Sequence, residues 1–371
     1  MRKSYILFLF LAIFSTRLQA QIEEAIPSSS VNYKVLDDNP KDLNTLWVHV
    51  QPITVDAIGM NIVVGSGLEF NYNPIPKWDF RAGFRGNFIN TMDLQRNAAT
   101  HSGGITTQES KREQGQLIIT NTFSRFYNVD LGASYAISDK EKKGTTKVVL
   151  LESAEQGVSA MPEIIEIDCK VRHIWSARLG LQSMATTVSL QKAMDKQDVS
   201  LKGDKGTVLS SSGTTTSNGF KTATNHNEVF SNFFSTGFNV GGSLQLVKNV
   251  SIKTEKQGVL SNNSILTVYA DVLMAPWTKI EDINTRKVGD GTEETFDASP
   301  IKLNQIGGRI GMDMRFNQSA YLSYGIEAGV KPSIQGQGLY LVAKLGIPVF
   351  SFGASKHKVA TNVGQNQSLT Q

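Results

Sequence analysis

The chain of 371 residues contains one cysteine, Cys169. A single thiol cannot close an internal disulfide, so the fold is not a disulfide scaffold. Cys169 ends the alternating run Ile165-Glu166-Ile167-Asp168-Cys169, where a buried or lipid-facing small apolar role is expected. Histidine is scarce as well. His49, His101, His173, His226 and His357 are scattered, and no pair has the i, i+4 or short-loop spacing of a zinc site. No metal, no cofactor and no catalytic residue is assigned. After residue 20 no stretch approaches 18 consecutive apolar residues, which excludes transmembrane helices. Excess positive charge is also missing. The formal net charge is +4, and removing Arg2, Lys3 and Arg17 leaves 4 − 3 = +1. The basicity therefore belongs to the first twenty residues and gives no argument for a nucleic-acid partner.

Those twenty residues have the order of a secretory signal. Arg2 and Lys3 form a basic head, Tyr5 to Phe14 an apolar run, and Arg17-Leu18-Gln19-Ala20 a polar end with a small residue at the cleavage point. The expected division is a signal peptide over 1–20, cleaved after Ala20, a polar segment over 21–44, one β-domain over 45–352, and a polar tail over 353–371. The tail lacks alternation and is expected to be disordered and dispensable for the fold.

Period-two alternation over 10 to 15 residues is the main signal. Met60, Ile62, Val64, Leu68, Phe70 and Tyr72 fall on one face, against Asn61, Glu69, Asn71 and Asn73. Across the turn Asn73-Pro74-Ile75-Pro76, Trp78, Phe80, Phe84 and Phe88 oppose Asp79, Arg81, Arg85 and Asn87. Asn304 to Phe316 sets Ile306, Ile310 and Met312 against Arg309, Asp313 and Arg315. Ser319 to Lys331 sets Leu322, Tyr324 and Ile326 against Glu327 and Lys331. Soluble strands average about 5–6 residues, whereas a tilted membrane strand needs about 9–11. A small, charged second face suits a watery or salt-bridged lumen. Gly65-Ser66-Gly67 and Gly132-Ala133-Ser134-Tyr135-Ala136 touch on a phosphate loop and a nucleophile elbow, but both lie inside alternating runs.

Further strands are expected at Thr45–Asp56 (weakened by Pro52), Gln116–Ile137, Ile164–Met184, Phe230–Val247, Val250–Gln257, Ser264–Ala275 and Gly338–Phe352. The second and third are long enough for one strand or two. Pro276-Trp277 is expected to end a strand. Tyr72, Trp78, Trp175, Trp277, Tyr321 and Tyr340 form a candidate interfacial girdle. Thr91–Gly115, Leu190–His226 and Pro276–Leu303 are long polar connections, and residues 210–220 are low-complexity. Three strands between the second and third connections would send these to opposite barrel ends. Either Val250–Gln257 is miscounted or one long connection is periplasmic.

With Leu18-Gln19-Ala20-Gln21, Leu68-Glu69-Phe70-Asn71-Tyr72 and Tyr269-Ala270-Asp271-Val272-Leu273 in place, residues 45–352 resemble the outer-membrane β-barrel proteins common in Bacteroidota. The resemblance implies an all-β fold: a single transmembrane antiparallel up-and-down barrel of about 12 strands, within 10–14. It also implies residence in the bacterial outer membrane, contact with outer-membrane lipid and with the barrel insertion machinery, and a possible envelope protein partner. Such proteins often end on an aromatic residue. Here Phe352 is followed by Gly353 to Gln371, so the recognised strand would be internal.

The expected lumen charge network is Glu69, Asp79, Arg81, Arg85, Asp271, Arg309, Asp313, Arg315, Glu327 and Lys331, with opposite signs on adjacent strands. Mixed signs neutralise rather than select ions, which favours a lumen tied shut over a conduit. Phe70, Trp78, Phe80, Phe84, Phe238 and Ile310 are expected to face lipid. The expected function is non-enzymatic: transport, surface binding or envelope assembly. The rivals are a barrel enzyme acting on lipid or peptide, marked by a Ser, His and acid together at a rim, and a soluble secreted β-sheet protein without an exposed belt.

Overall fold

A computed structural model describes residues 32–75, 77–87, 92–102, 117–150, 163–210, 213–215, 221–222, 229–254, 258–287, 289–317 and 322–353. The expected signal peptide, the tail after Gly353 and most of 210–220 lie outside the described residues. The chain divides into two compact units. The larger holds Leu43–Asp139, Ile174–Leu246 and Ile265–Gln371; the smaller holds residues up to Asp42, Lys140–His173 and Val247–Ser264.

The larger unit contains a closed antiparallel barrel of ten strands. These are β1 (Asn44–Ile58), β2 (Asn61–Ile75), β3 (Trp78–Gly86), β4 (Tyr127–Leu150), β5 (Glu163–Ser189), β6 (Phe230–Lys248), β7 (Ser264–Ile280), β8 (Ile306–Phe316), β9 (Ser323–Val330) and β10 (Leu339–Gly353). Each pairs with its neighbours in sequence, and β1 pairs with β10 from Asn44↔Gly353 to Ile58↔Tyr340 to close the ring. Closure leaves no unpaired sheet edge, the arrangement a spanning sheet needs.

Ten strands fall within the expected 10–14 and below its central figure of twelve, for two reasons. Each long segment supplies one barrel strand: in the first, Leu117–Ile119 pairs with Thr285–Lys287 in a separate sheet and only Tyr127 onward belongs to the barrel, in a strand of 24 residues, and in the second the strand runs 27 residues. Val250–Thr254 is not a barrel strand at all; it pairs with Tyr33–Asp38 and Gly258–Asn262 in a separate sheet. Removing it from the count makes the alternation even, so the connections after β3, β5 and β7, the long ones, share one barrel end. Pro276 does not end β7, which continues to Ile280. The Ala275 amide donates to the Gln305 carbonyl at 2.8 Å just before β8 begins.

Close backbone approach explains the glycines of β2. A Cβ at Gly65 would lie 2.3 Å from the carbonyl oxygen of Gly86, and one at Gly67 would lie 2.4 Å from that of Phe84. β1 is irregular: its ladder with β10 shifts register at three places, and its ladder with β2 shifts between Gln51 and Thr54, around Pro52.

The long connections fold into a cap with its own apolar core. Met194, Leu201, Phe233, Ile283, Phe296 and Ile334 are buried there with Ile58, Met60 and Tyr340 from the strand ends. Helix α1 (Leu94–Ser102) starts at Asp93, whose carboxylate accepts the Arg96 amide at 3.2 Å as a helix cap. The same carboxylate accepts Asn61 Nδ2 at 2.7 Å and the Phe126 amide at 3.3 Å, pinning the helix start to β2 and to the entry of β4. Helix α2 (Gln191–Gln197) buries Ala193 and Met194 and ends at Asp198 in the left-handed region, φ 53°. Glu294 accepts the amides of Lys205 at 3.2 Å and Thr207 at 3.0 Å, clasping a turn that begins at Gly203. Asp297 accepts the Ser299 hydroxyl at 2.6 Å and its amide at 2.8 Å, which holds its carboxyl below the usual range.

In the smaller unit, Tyr33–Asp38, Val250–Thr254 and Gly258–Asn262 form an antiparallel sheet. The Lys170 amide donates to Asp38 at 2.8 Å, and Asn262 Nδ2 donates to Thr146 Oγ1 at 2.8 Å. Val148, Ile165, Ile167 and Cys169 alternate inward along the same stretches and are buried, so Cys169 takes the small apolar role.

Candidate functional site

Alternation sends charge to the inside of the barrel and aromatic residues to the outside. All ten residues of the expected network are buried or half-buried in the lumen. Arg81 Nη1 lies 2.6 Å from Asp313 Oδ2, and its other terminal nitrogen lies 3.6 Å from Glu69. Lys344 Nζ bridges Asp313 at 2.7 Å and Glu69 at 3.4 Å. Arg309 gathers three carboxylates: Asp271 at 2.7 Å, Glu327 at 3.5 Å, and Asp130 by a short contact. Arg178 reaches the other oxygen of Asp271 at 3.1 Å and lies 4.1 Å from the ring centre of Tyr269. Arg85 forks onto Asp56 with two bonds of 3.1 Å, the planar geometry in which guanidinium and carboxylate match.

Hydroxyls complete the set. Tyr269 and Tyr340 each donate to Glu327, at 2.8 and 2.7 Å. Arg315 donates to Asn71 at 3.0 Å, lies 3.6 Å from Asp79 and stacks over Trp47. Lys331 Nζ has no hydrogen-bond partner among the described residues and sits 4.5 Å from the ring centre of Tyr340. Seven cations (Arg81, Arg85, Arg178, Arg309, Arg315, Lys331, Lys344) thus meet seven anions (Asp56, Glu69, Asp79, Asp130, Asp271, Asp313, Glu327), a net charge of zero.

The expected pairing between adjacent strands is the lesser part. Arg81 and Asp313 lie on β3 and β8, five strands apart in a ring of ten whichever way it is followed. Arg309 and Asp130 lie on β8 and β4. These links cross the lumen because side chains as long as arginine reach from wall to wall in a barrel of this strand number. A residual space of about 10 Å³ is lined by His49, Gln51, Glu69, Arg315, Ser323 and Lys344. That is room for about one water.

Sequence reasoning missed Asp56, Asp130, Arg178, Lys344 and Tyr269. It also assigned Tyr340 to the outer girdle. Tyr340 shares inward parity with Val342 and Lys344 and is buried against Glu327. Of the other girdle candidates, Tyr72, Trp78, Trp175 and Trp277 are exposed, and Tyr321 lies outside the described residues. Phe70, Trp78, Phe80, Phe84 and Ile310 point outward and are exposed; Phe238 points the same way and is half-buried. Phe70, Phe80, Leu131, Leu179 and Phe238 rim an apolar depression of about 540 Å³ on that outer face. Trp78 stacks on Phe80 and meets Tyr135 edge-on.

His49 is buried in the lumen, and its Nδ1 has no hydrogen-bond partner among the described residues. No group of His, Cys, Asp and Glu able to hold a metal ion occurs among the described residues.

No protein-family model matches the chain, and no curated protein matches it. Among solved structures, the CymD monoaromatic hydrocarbon channel is similar at TM-score 0.27 and 9% identity, over 85% of this chain and 91% of that one. The Ralstonia pickettii toluene transporter TbuX is similar at 0.22 and 10%, over 81% and 89%. The P. putida toluene transporter TodX is similar at 0.20 and 12%, over 86% and 88%. Similarity at this level assigns no family and carries over no substrate.

Proposed function

We propose that this chain is a non-enzymatic bacterial outer-membrane barrel whose lumen is tied shut, so that it serves surface binding, envelope assembly or regulated transport and is not an open diffusion pore. The membrane part of the reading is supported by the outward belt. Exposed Phe70, Phe80, Phe84, Leu131, Leu179, Ile310 and Phe350 would face water at high cost in a soluble protein. The long connections share the barrel end opposite the termini, which suits outward loops and periplasmic termini. Outer-membrane lipid and the insertion machinery are the partners this reading requires.

The observation that carries the closed lumen is the Arg81–Asp313 contact from opposite walls, backed by Arg309 among its three acids. A water column cannot pass a level already filled by paired side chains. The test is single-channel recording of the refolded protein in a planar bilayer. Rare, small events are expected. A large steady conductance would overturn the closed-lumen reading, and recovery as a monodisperse species without detergent would overturn the membrane reading.

A further inference from the structure

The smaller unit has a charge balance unlike that of the lumen. Its described segments carry ten Lys and Arg against seven Asp and Glu, 10 − 7 = +3. Two local features concentrate this surplus. Lys140, Lys142, Lys143 and Lys147 fall within eight residues of β4, all are exposed, and none has an ion pair among the described residues. The one acid among them, Glu141, is drawn off to Lys41 at 2.7 Å. Separately, Lys34 and Lys253 are directly opposite partners in the small sheet, and both are exposed. Like charges directly opposite destabilise a sheet unless an anion lies near.

We propose that this cationic surface binds the acidic headgroups of membrane phospholipids. The proposal rests on the outer-membrane reading above. Charge complementarity names an anion, and the order of residues along β4 names which one. Tyr135 and Ile137 are exposed apolar side chains, and Lys143 and Lys147, the two of the four lysines that keep the same side of the strand, follow within ten residues of Ile137 on β4. A strand face that passes from exposed apolar side chains to lysines without ion pairs among the described residues within about 20 Å follows the change from hydrocarbon to headgroup. The lysine phosphate contacts are electrostatic, so they weaken as salt shortens the Debye length. An acidic cell-wall glycan offers the same charge but gives no reason for the adjoining apolar residues.

The experiment uses the full-length protein folded into phosphatidylcholine vesicles with and without phosphatidylglycerol. Amide hydrogen exchange is followed over residues 139–148. Phosphatidylglycerol is expected to slow exchange there at least threefold, and high salt to reverse the effect. The K140Q/K142Q/K143Q/K147Q variant is expected to insert normally and to show no slowing. An exchange rate indifferent to phosphatidylglycerol in the wild type overturns the proposal. So does equal slowing in the variant, or lysine-dependent binding to isolated cell-wall sacculi in place of vesicles. Protease protection of the barrel, read in the same samples, reports insertion separately; its absence overturns the outer-membrane reading rather than the headgroup assignment.

Discussion

Arg81 on β3 and Asp313 on β8 meet at 2.6 Å across the full width of the barrel. Removing one partner leaves the other charge buried with less compensation, at a cost of about 3–5 kcal/mol. Arg81→Met and Asp313→Leu should each lower the urea midpoint of the detergent-folded protein. The double substitution should cost less than the sum of the two. Strict additivity in that cycle would mean the contact does not act as a pair.

Arg309 holds three acids, so its loss should be felt more widely. Arg309→Ala leaves Asp130, Asp271 and Glu327 to repel one another around a new space. Bilayer recordings should then show conductance that the parent lacks. A variant as silent as the wild type would place the barrier elsewhere, in the cap.

The cap has a core of its own and should respond on its own. Phe233 and Phe296 are fully buried in it. Truncating either to alanine should cost about 3–5 kcal/mol locally. Proteolysis of the connections after β5 and β7 should accelerate while heat-modifiable migration of the barrel persists. Simultaneous loss of both signals would show one cooperative unit instead.

Gly203 is fixed by the clasp rather than by its dihedral angles. A Cβ there would lie 2.2 Å from Glu294 Oε1. Gly203→Ala should push the carboxylate off the part-buried Lys205 and Thr207 amides, costing about 1 kcal/mol. Glu294→Gln keeps an acceptor and should be milder. Equal effects from the two, measured by exchange of those amides, would remove the clasp from the account.

Outward positions should follow depth. Phe80→Arg and Leu131→Arg place charge on the exposed face of adjacent strands. Each should reduce refolding into vesicles by about 2–4 kcal/mol if near the bilayer midplane. Asp290→Arg, in an exposed turn after β7, should be neutral in the same titration.

The fold was legible where alternation ran unbroken. β2, β3 and β8 carry an aromatic or aliphatic row against a charged row, so their strands and facing could be read directly. β1 could not be read through, because the irregular pairing around Pro52 flips the parity between His49 and Asp56. Asp56 was lost for that reason. Asp130 and Arg178 lay in segments whose length allowed one strand or two, so no facing could be set. Lys344 sat in a stretch read only as apolar. Which charges met was not readable either, since Arg81 and Asp313 are 232 residues apart and only closure of the ring brings them together.

The irregular seam between β1 and β10 dictates the order of assembly. Asn44 pairs with Gly353, so the ring cannot close until nearly the whole described chain is present, and the entropic cost of that loop is met last. Lys344 reaches Glu69 only across this seam. Pairs between neighbouring strands, such as Arg309 with Asp271 and Glu327, are within reach of an open ribbon, whereas the wall-to-wall contacts of Arg81 with Asp313 and of Arg309 with Asp130 exist only once the ring has closed.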